Sequence, residues 1–219
     1  MNDKAQALIH VVEDDVNVAG LIIATLATAT SLVLGLPAAY SIAKYRQGKI
    51  GILILIARML PFVSYLLPWY IIFRYLKLID TYTALTITHL IITMPMVIWL
   101  MVSFFESMPA ELEDAAMIDG CSRWQSFIRI VLPLMRNGIA TSAIMSFIFS
   151  WNQFLFSLIL SGPQTKTVPV AVYNFISYGK IDWAGIGAAA TLIVLPVSIF
   201  AFFVRKSIVQ GLTMGALKD

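Results

Sequence analysis

Acidic, small and basic side chains are concentrated in one stretch, residues 107–138, which reads SMPAELEDAAMIDGCSRWQSFIRIVLPLMRNG. Glu111, Glu113 and Asp114 place three carboxylates in one turn, with no histidine or serine spaced to act with them. Elsewhere the usual catalytic signatures are missing from the sequence. Gly48-Lys49 is followed by Ile50 and Gly179-Lys180 by Ile181, so neither pair ends a phosphate-binding loop in Ser or Thr. No nucleophile elbow, HExxH pair or Asp/Cys/His cluster is written in the chain. The lone Cys121 excludes an internal disulfide and builds no metal site by itself. These features point away from an enzyme.

The elements of this stretch are legible in its residues. Pro109 suits a first helical turn, and Glu111, Glu113 and Asp114 favour the positive end of the helix that follows. Ala115 and Ala116 keep one surface small, and Gly120 breaks the helix. Ser122 with Gln125 three residues on is a capping-box pattern for a second helix. That helix shows Trp124, Phe127, Ile128 and Val131 before Pro133 ends or kinks it. The expected unit is a compact helix–turn–helix.

The rest of the chain belongs in lipid. Of its 219 residues 59% are apolar and only 12% are charged, about half the charged share of a soluble domain. Uncharged runs occupy residues 16–43, 81–105, 137–164 and 183–204, and the run 50–73 carries only Arg58. About 20 apolar residues suffice to span the hydrocarbon core, so five runs qualify as transmembrane helices. The fold class expected is an all-α, polytopic membrane bundle. The net charge of +3 is spread between the spans and marks no nucleic-acid partner. No signal peptide is written at the N-terminus.

Cation counting sets the expected orientation. The turn Lys44-Tyr45-Arg46-Gln47-Gly48-Lys49 reads as cytoplasmic. Residues 1–15 then lie outside, loop 106–137 inside, loop 161–183 outside and tail 205–219 inside. Nine cations fall inside and five outside, with Arg58 in the membrane. An N-terminus outside without a signal sequence suggests a further helix upstream, although short tails also translocate unaided.

With these residues in view, a resemblance becomes specific. Asp114-Ala115-Ala116, three residues, Gly120, nine residues, Ile130, one residue and Leu132-Pro133 is similar to the Glu-Ala-Ala loop of ABC importer permeases, with Asp114 in place of the usual glutamate. The surrounding Glu-Leu-Glu-Asp-Ala-Ala and Asp119-Gly120 resemble the carbohydrate branch, the maltose-type importers. The first span, ending in Leu36-Pro37-Ala38-Ala39-Tyr40, resembles the second of six helices in that family, whose first helix would then be lacking here. The resemblance implies a permease subunit of the type I importer fold. Its partners would be a second, different permease, two ATP-binding subunits that hold ATP and Mg, and an extracytoplasmic solute-binding protein. The chain itself would hold no cofactor. In such importers the loop docks on an ATP-binding subunit, which assigns coupling to Glu111, Asp114, Ala115, Ala116, Gly120, Ile130 and Pro133. A permease of a non-sugar importer, or an ion-coupled secondary transporter, is the alternative. The latter predicts intramembrane acids, and the spans contain none apart from Glu106 at an end.

Two more segments join the resemblance. The ending Gly211-Leu212-Thr213-Met214-Gly215-Ala216-Leu217-Lys218 is similar to the family's C-terminal pattern, and implies that Gly211, Leu212, Thr213, Gly215 and Lys218 reach the ATP-binding subunits; a frayed terminus is the plainer reading. In loop 161–183, residues 168–178 could form a short interfacial helix. By resemblance, Lys166, Pro169, Tyr173 and Tyr178 contact the binding protein; by residue type, Tyr173 and Tyr178 are equally interfacial anchors. Within the spans, Trp151, Asn152 and Phe154 offer an amide and aromatic faces to a sugar path. Asn152 serves equally as an interhelical hydrogen-bonder, and His89 and Arg58 read as bundle or snorkelling residues.

Overall fold

Lipid offers no partner to backbone amides, so apolar runs must close their own hydrogen bonds as helices. A computed structural model describes residues 15–173 and, beyond them, 176–177, 180–181, 183, 186–187, 190–191, 193–195 and 197–198. The elements are α1 (Asp15–Lys44), α2 (Gly48–Met59), α3 (Val63–Tyr75), α4 (Tyr82–Glu106), α5 (Glu111–Ile118), α6 (Arg123–Ser126), a π-helical turn (Phe127–Val131), α7 (Leu132–Leu134), α8 (Arg136–Trp151), α9 (Leu155–Leu160) and α10 (Val168–Tyr173). A two-residue antiparallel pair, β1 (Ile176–Ser177) with β2 (Lys180–Ile181), follows.

The architecture is the expected helical bundle, with corrections to its spans. Two helices, α1 and α4, are long and apolar enough to cross a membrane unaided, and the described residues reach four spans if each of two bent pairs counts as one. The expected unbroken span 50–73 is instead α2 and α3 meeting at 87°. Pro61 is the cause: its ring drives Leu60 into extended backbone, φ −65° and ψ 135°, and ends α2. The expected span 137–164 stops at Trp151 and resumes as α9 after a three-residue elbow. The span 183–204 falls largely outside the described residues. The expected helix over 168–178 ends at Tyr173, and Ile176 then pairs with Ile181 across the small hairpin.

The core forms where α1, α4 and α8 pack. Along α1 the buried face is small, with Ala19, Ala24, Ala27 and Ser31 beside Ile23, while Val18, Leu21, Ile22, Leu26 and Val33 face outward. Small side chains let helix backbones approach when lipid supplies no hydrophobic drive. Gly138 on α8 shows how close: a Cβ there would stand 2.6 Å from the Phe104 ring of α4. One core cluster (Leu36, Ala39, Val97, Met101, Phe105, Phe127) binds the helix–turn–helix to the ends of α1 and α4. Two further clusters, around Phe73 and Phe156 and around Trp151 and Val168, fill the opposite end.

Candidate coupling site

The 107–138 stretch folds as the expected helix–turn–helix, and its parts explain its rigidity. α5 begins at Glu111, so Pro109 lies just outside the helix rather than in its first turn. Gly120 turns the chain at φ +90°, a region open to glycine and strained for other residues. The Ser122 hydroxyl accepts the Gln125 N–H at 3.3 Å, and the Gln125 carboxamide oxygen accepts the Ser122 N–H at 2.8 Å. That reciprocal box starts α6 as the sequence indicated. Pro133 then has no N–H for the carbonyl of Arg129, four residues back. The chain widens into the π-helical turn from Phe127 to Val131 and bends by 78° before α8.

The predicted coupling residues separate into two kinds. Glu111, Asp114, Ala115, Gly120 and Pro133 are exposed, Ile130 is half-buried, and Ala116 is buried under α5. Exposed apolar side chains accompany the acids, among them Ile118 (86% exposed) and Trp124, a composition suited to a partner surface. Beside α5, Leu112, Arg129, Ile130, Pro133 and Arg136 line a groove of about 660 Å³.

Glu113, which the sequence marks only as one of three acids in the first turn of α5, ties the unit to α1. Glu113 is only 5% exposed. Its carboxylate accepts the Lys44 ammonium and the Tyr40 hydroxyl, both from the last turn of α1. Lys44 also donates to the Tyr40 hydroxyl at 3.2 Å, and the Tyr40 ring packs edge-on to Phe105 and against Phe127. A cleft of about 520 Å³ opens beside this knot, lined by Lys44, Arg46, Glu106, Glu113 and Asp114 among others. The chain therefore ties α5 to α1 as well as to its covalent neighbours α4 and α6. The i, i+4 spacing of Tyr40 and Lys44 was readable on α1; their partner, 69 residues from Lys44, was not.

At the other end of the bundle, Asp80 clips the loop after α9 to the α3–α4 turn. Its carboxylate accepts the N–H groups of Gly162 (2.9 Å), Gln164 (3.2 Å) and Thr165 (3.0 Å) and the Thr165 hydroxyl (2.8 Å). Burial pushes this carboxyl up, but the Thr165 hydroxyl and the three backbone N–H groups outweigh it and hold it below the ordinary value. A carboxyl lowered on folding stabilises the folded loop above its unfolded pKa and loses that contribution as pH falls through the folded one. The clip is thus intact at neutral pH and fails only in acid. Asp80→Ala is expected to cost the loop about 1–2 kcal/mol, read as roughly tenfold faster amide exchange at Gly162 and Thr165.

The remaining predicted residues are dispersed. Trp151 is buried against α1, and its indole N–H donates to the Ile193 carbonyl at 3.1 Å. Asn152 is exposed at the elbow and donates to the Ile148 carbonyl at 2.8 Å. Phe154 is half-buried, 5.9 Å from the exposed Tyr173 ring. Lys166 and Pro169 are half-buried. Arg58 places its guanidinium 5.8 Å from the centre of the Phe149 ring, and His89 is a bundle hydrogen-bonder, 2.7 Å from Ser150. Tyr178 and the tail residues Gly211, Leu212, Thr213, Gly215 and Lys218 lie outside the described residues, as do residues 1–14.

Residues 31–214 match the family described as binding-protein-dependent transport system inner membrane component. The chain belongs to that family. The permease is 41% identical over 189 residues to a probable ABC transporter permease protein, y4oR, of Sinorhizobium fredii, covering 85% of this chain and 68% of the relative. It is 35% identical over 201 residues to the sulfoquinovosyl glycerol transport system permease protein SmoH of Agrobacterium fabrum, covering 90% and 70%. Over 203 residues it is 34% identical to the trehalose/maltose transport system permease protein MalG of Thermococcus litoralis, covering 90% and 73%. In fold it is similar to a bacterial ABC transporter that imports alginate (TM-score 0.71, 23% identity, 91% of this chain and 78% of that one). The MetNI methionine ABC transporter gives a TM-score of 0.75 at 16% identity, over 96% and 99% of the two chains. It is thus a multi-pass inner-membrane permease subunit with the type I importer fold.

Proposed function

We propose that this permease forms half of the translocation path of an ATP-driven sugar importer, and that the 107–138 unit couples it to an ATP-binding subunit. The observation that carries the coupling is the capped, buttressed helix–turn–helix whose exposed face joins Glu111, Asp114 and Ala115 to Gly120. A flexible loop would absorb a push; one pinned to α1 through Glu113 transmits it to a spanning helix. The sugar assignment is supported by relatives named for trehalose, maltose and sulfoquinovosyl glycerol transport.

The remaining parts follow the same reading. The coupling face and the Lys44–Lys49 turn are cytoplasmic, residues 1–15 are outside and the tail is inside. A second permease completes the path, two ATP-binding subunits hold ATP and Mg and carry out hydrolysis, and an extracytoplasmic binding protein delivers the sugar. The tail residues from Gly211 to Lys218 reach the ATP-binding subunits. Lys166, Pro169, Tyr173 and Tyr178 meet the binding protein. Asn152 and Phe154 border the path, and Trp151 supports them from behind.

Gly120 gives the sharpest test of the coupling role. No atom lies within 4 Å of a Cβ added there, so a side chain costs only left-handed strain, about 1–2 kcal/mol, and otherwise projects toward the docking partner. Gly120→Asp is expected to insert and fold, yet to lose co-purification with the ATP-binding subunit by about a hundredfold, as a misplaced charge at an interface centre does. Undiminished co-purification would refute the coupling role.

A further inference from the structure

The elbow between α8 and α9 is bridged by a side chain from a third helix. The two halves heal their ends locally: Asn152 donates to Ile148, and the Gln153 carboxamide oxygen accepts the Leu155 N–H at 3.0 Å. His89 of α4, 1% exposed, reaches both halves. Its Nδ1 stands 2.7 Å from the Ser150 hydroxyl on α8, and its Nε2 3.5 Å from the Ser157 hydroxyl on α9. Residues seven apart on an unbroken helix are separated by about 10.5 Å along the axis, too far for both nitrogens of one imidazole. The contact pair exists because the chain turns, and it holds only one range of turns.

The bridge is anchored. Thr93 donates to the His89 carbonyl at 3.0 Å, and its hydroxyl meets Ser31 of α1 at 2.7 Å. The staple is thereby built on the tightly packed α1–α4 pair. Neutral imidazole offers one donor and one acceptor, and a serine hydroxyl takes either role, so the ring satisfies both serines without burying a charge.

We propose that His89 is a positioning residue of the permease, stapling α8 to α9 and so fixing where Asn152 and Phe154 stand at the elbow. The functional half of this rests on the reading that the elbow borders the translocation path; the staple itself does not.

The test uses the assembled transporter in nanodiscs, with Cys121 replaced by alanine in every variant compared so that the introduced cysteines are the only thiols of this chain. Spin labels placed through Phe149→Cys and Leu158→Cys, both exposed positions, report the elbow. Labels through Val33→Cys and Trp99→Cys report the α1–α4 pair. His89→Ala is expected to broaden the elbow distance distribution about twofold and leave the control pair unchanged. His89→Gln, whose amide again offers a donor and an acceptor, is expected to restore the narrow distribution. In parallel, Asn152→Cys is titrated with a charged, membrane-impermeant maleimide, whose labelling rate His89→Ala should change by about fivefold. A narrow elbow in His89→Ala overturns the staple. A broadened elbow with an unchanged labelling rate overturns the positioning role. Failure of Asn152→Cys to label even beside wild-type His89 would show that the elbow does not border the path, removing the functional half while the spin-label distances still decide the staple.

Discussion

Glu113→Ala is expected to abolish most binding-protein-stimulated ATP hydrolysis while leaving the ATP-binding subunit attached. The carboxylate is buried beneath α5 and does not belong to the exposed face proposed to dock, so its loss spares that face. What it removes is the tie to Lys44 and Tyr40 on α1. Breaking a fully buried ion pair from one side costs about 3–5 kcal/mol. Here the Lys44 side chain keeps 23% of its exposure and can turn to water, so about 1–3 kcal/mol is the expected loss in stability. The larger effect is mechanical. With the tie cut, motion of the loop reaches α1 through apolar packing around Phe105 and Phe127 and through the exposed Arg123–Tyr45 hydrogen bond just past its end. Stimulated hydrolysis should fall at least tenfold, a coupling loss of about 1.4 kcal/mol. Glu113→Lys combined with Lys44→Glu restores opposite charges and should recover much of it. A double variant no better than either single one would show that the pair transmits nothing.

Gly138→Val is expected to disrupt the bundle itself. Even the first carbon added would lie 2.6, 2.8 and 2.9 Å from three atoms of the Phe104 ring, well inside contact distance. Overpacking of this kind costs about 1–3 kcal/mol, and the two further methyl groups of valine place the effect at the upper end. The expected readout is a marked fall in the melting temperature of the detergent-solubilised permease. Gly138→Ala should show a smaller fall. Phe104→Ala makes the missing room, so Gly138→Val with Phe104→Ala should be more stable than Gly138→Val alone. If it is not, the closeness of α4 and α8 at this crossing is not what limits position 138.

The two variants act on different links of one chain of cause. Gly138 decides whether α4 and α8 can meet; Glu113 supplies the buried charged tie between α1 and the loop that joins them. Both lie outside the exposed coupling face, which explains why sequence reasoning aimed at that face passed over them. Glu113 reads as one of three acids in a first helical turn, and only its burial separates it from Glu111 and Asp114. Gly138 reads as the end of a loop, and only the ring opposite makes it obligatory.

Residue type and spacing were enough to specify the lipid solvent, the fold class and the 107–138 helix–turn–helix. Long uncharged runs leave the backbone no partner but itself, which dictates helices. The Ser122–Gln125 box, the break at Gly120 and the bend near Pro133 are local chemistry, set by neighbours within a few residues, and each sits where the residues place it. The tertiary structure alone decided which helix faces meet. In water a polar face and an apolar face would have marked the sides of α1, but in lipid Leu26 and Ile23 are equally apolar although one faces out and the other is fully buried. Hydrophobic periodicity therefore carries little signal, and the small residues that do carry it are common throughout the spans. The long-range polar contacts were hidden for the same reason. Asp80 with Gly162, Glu113 with Lys44 and His89 with Ser150 are each separated by more than sixty residues, and only the packed helices bring them together.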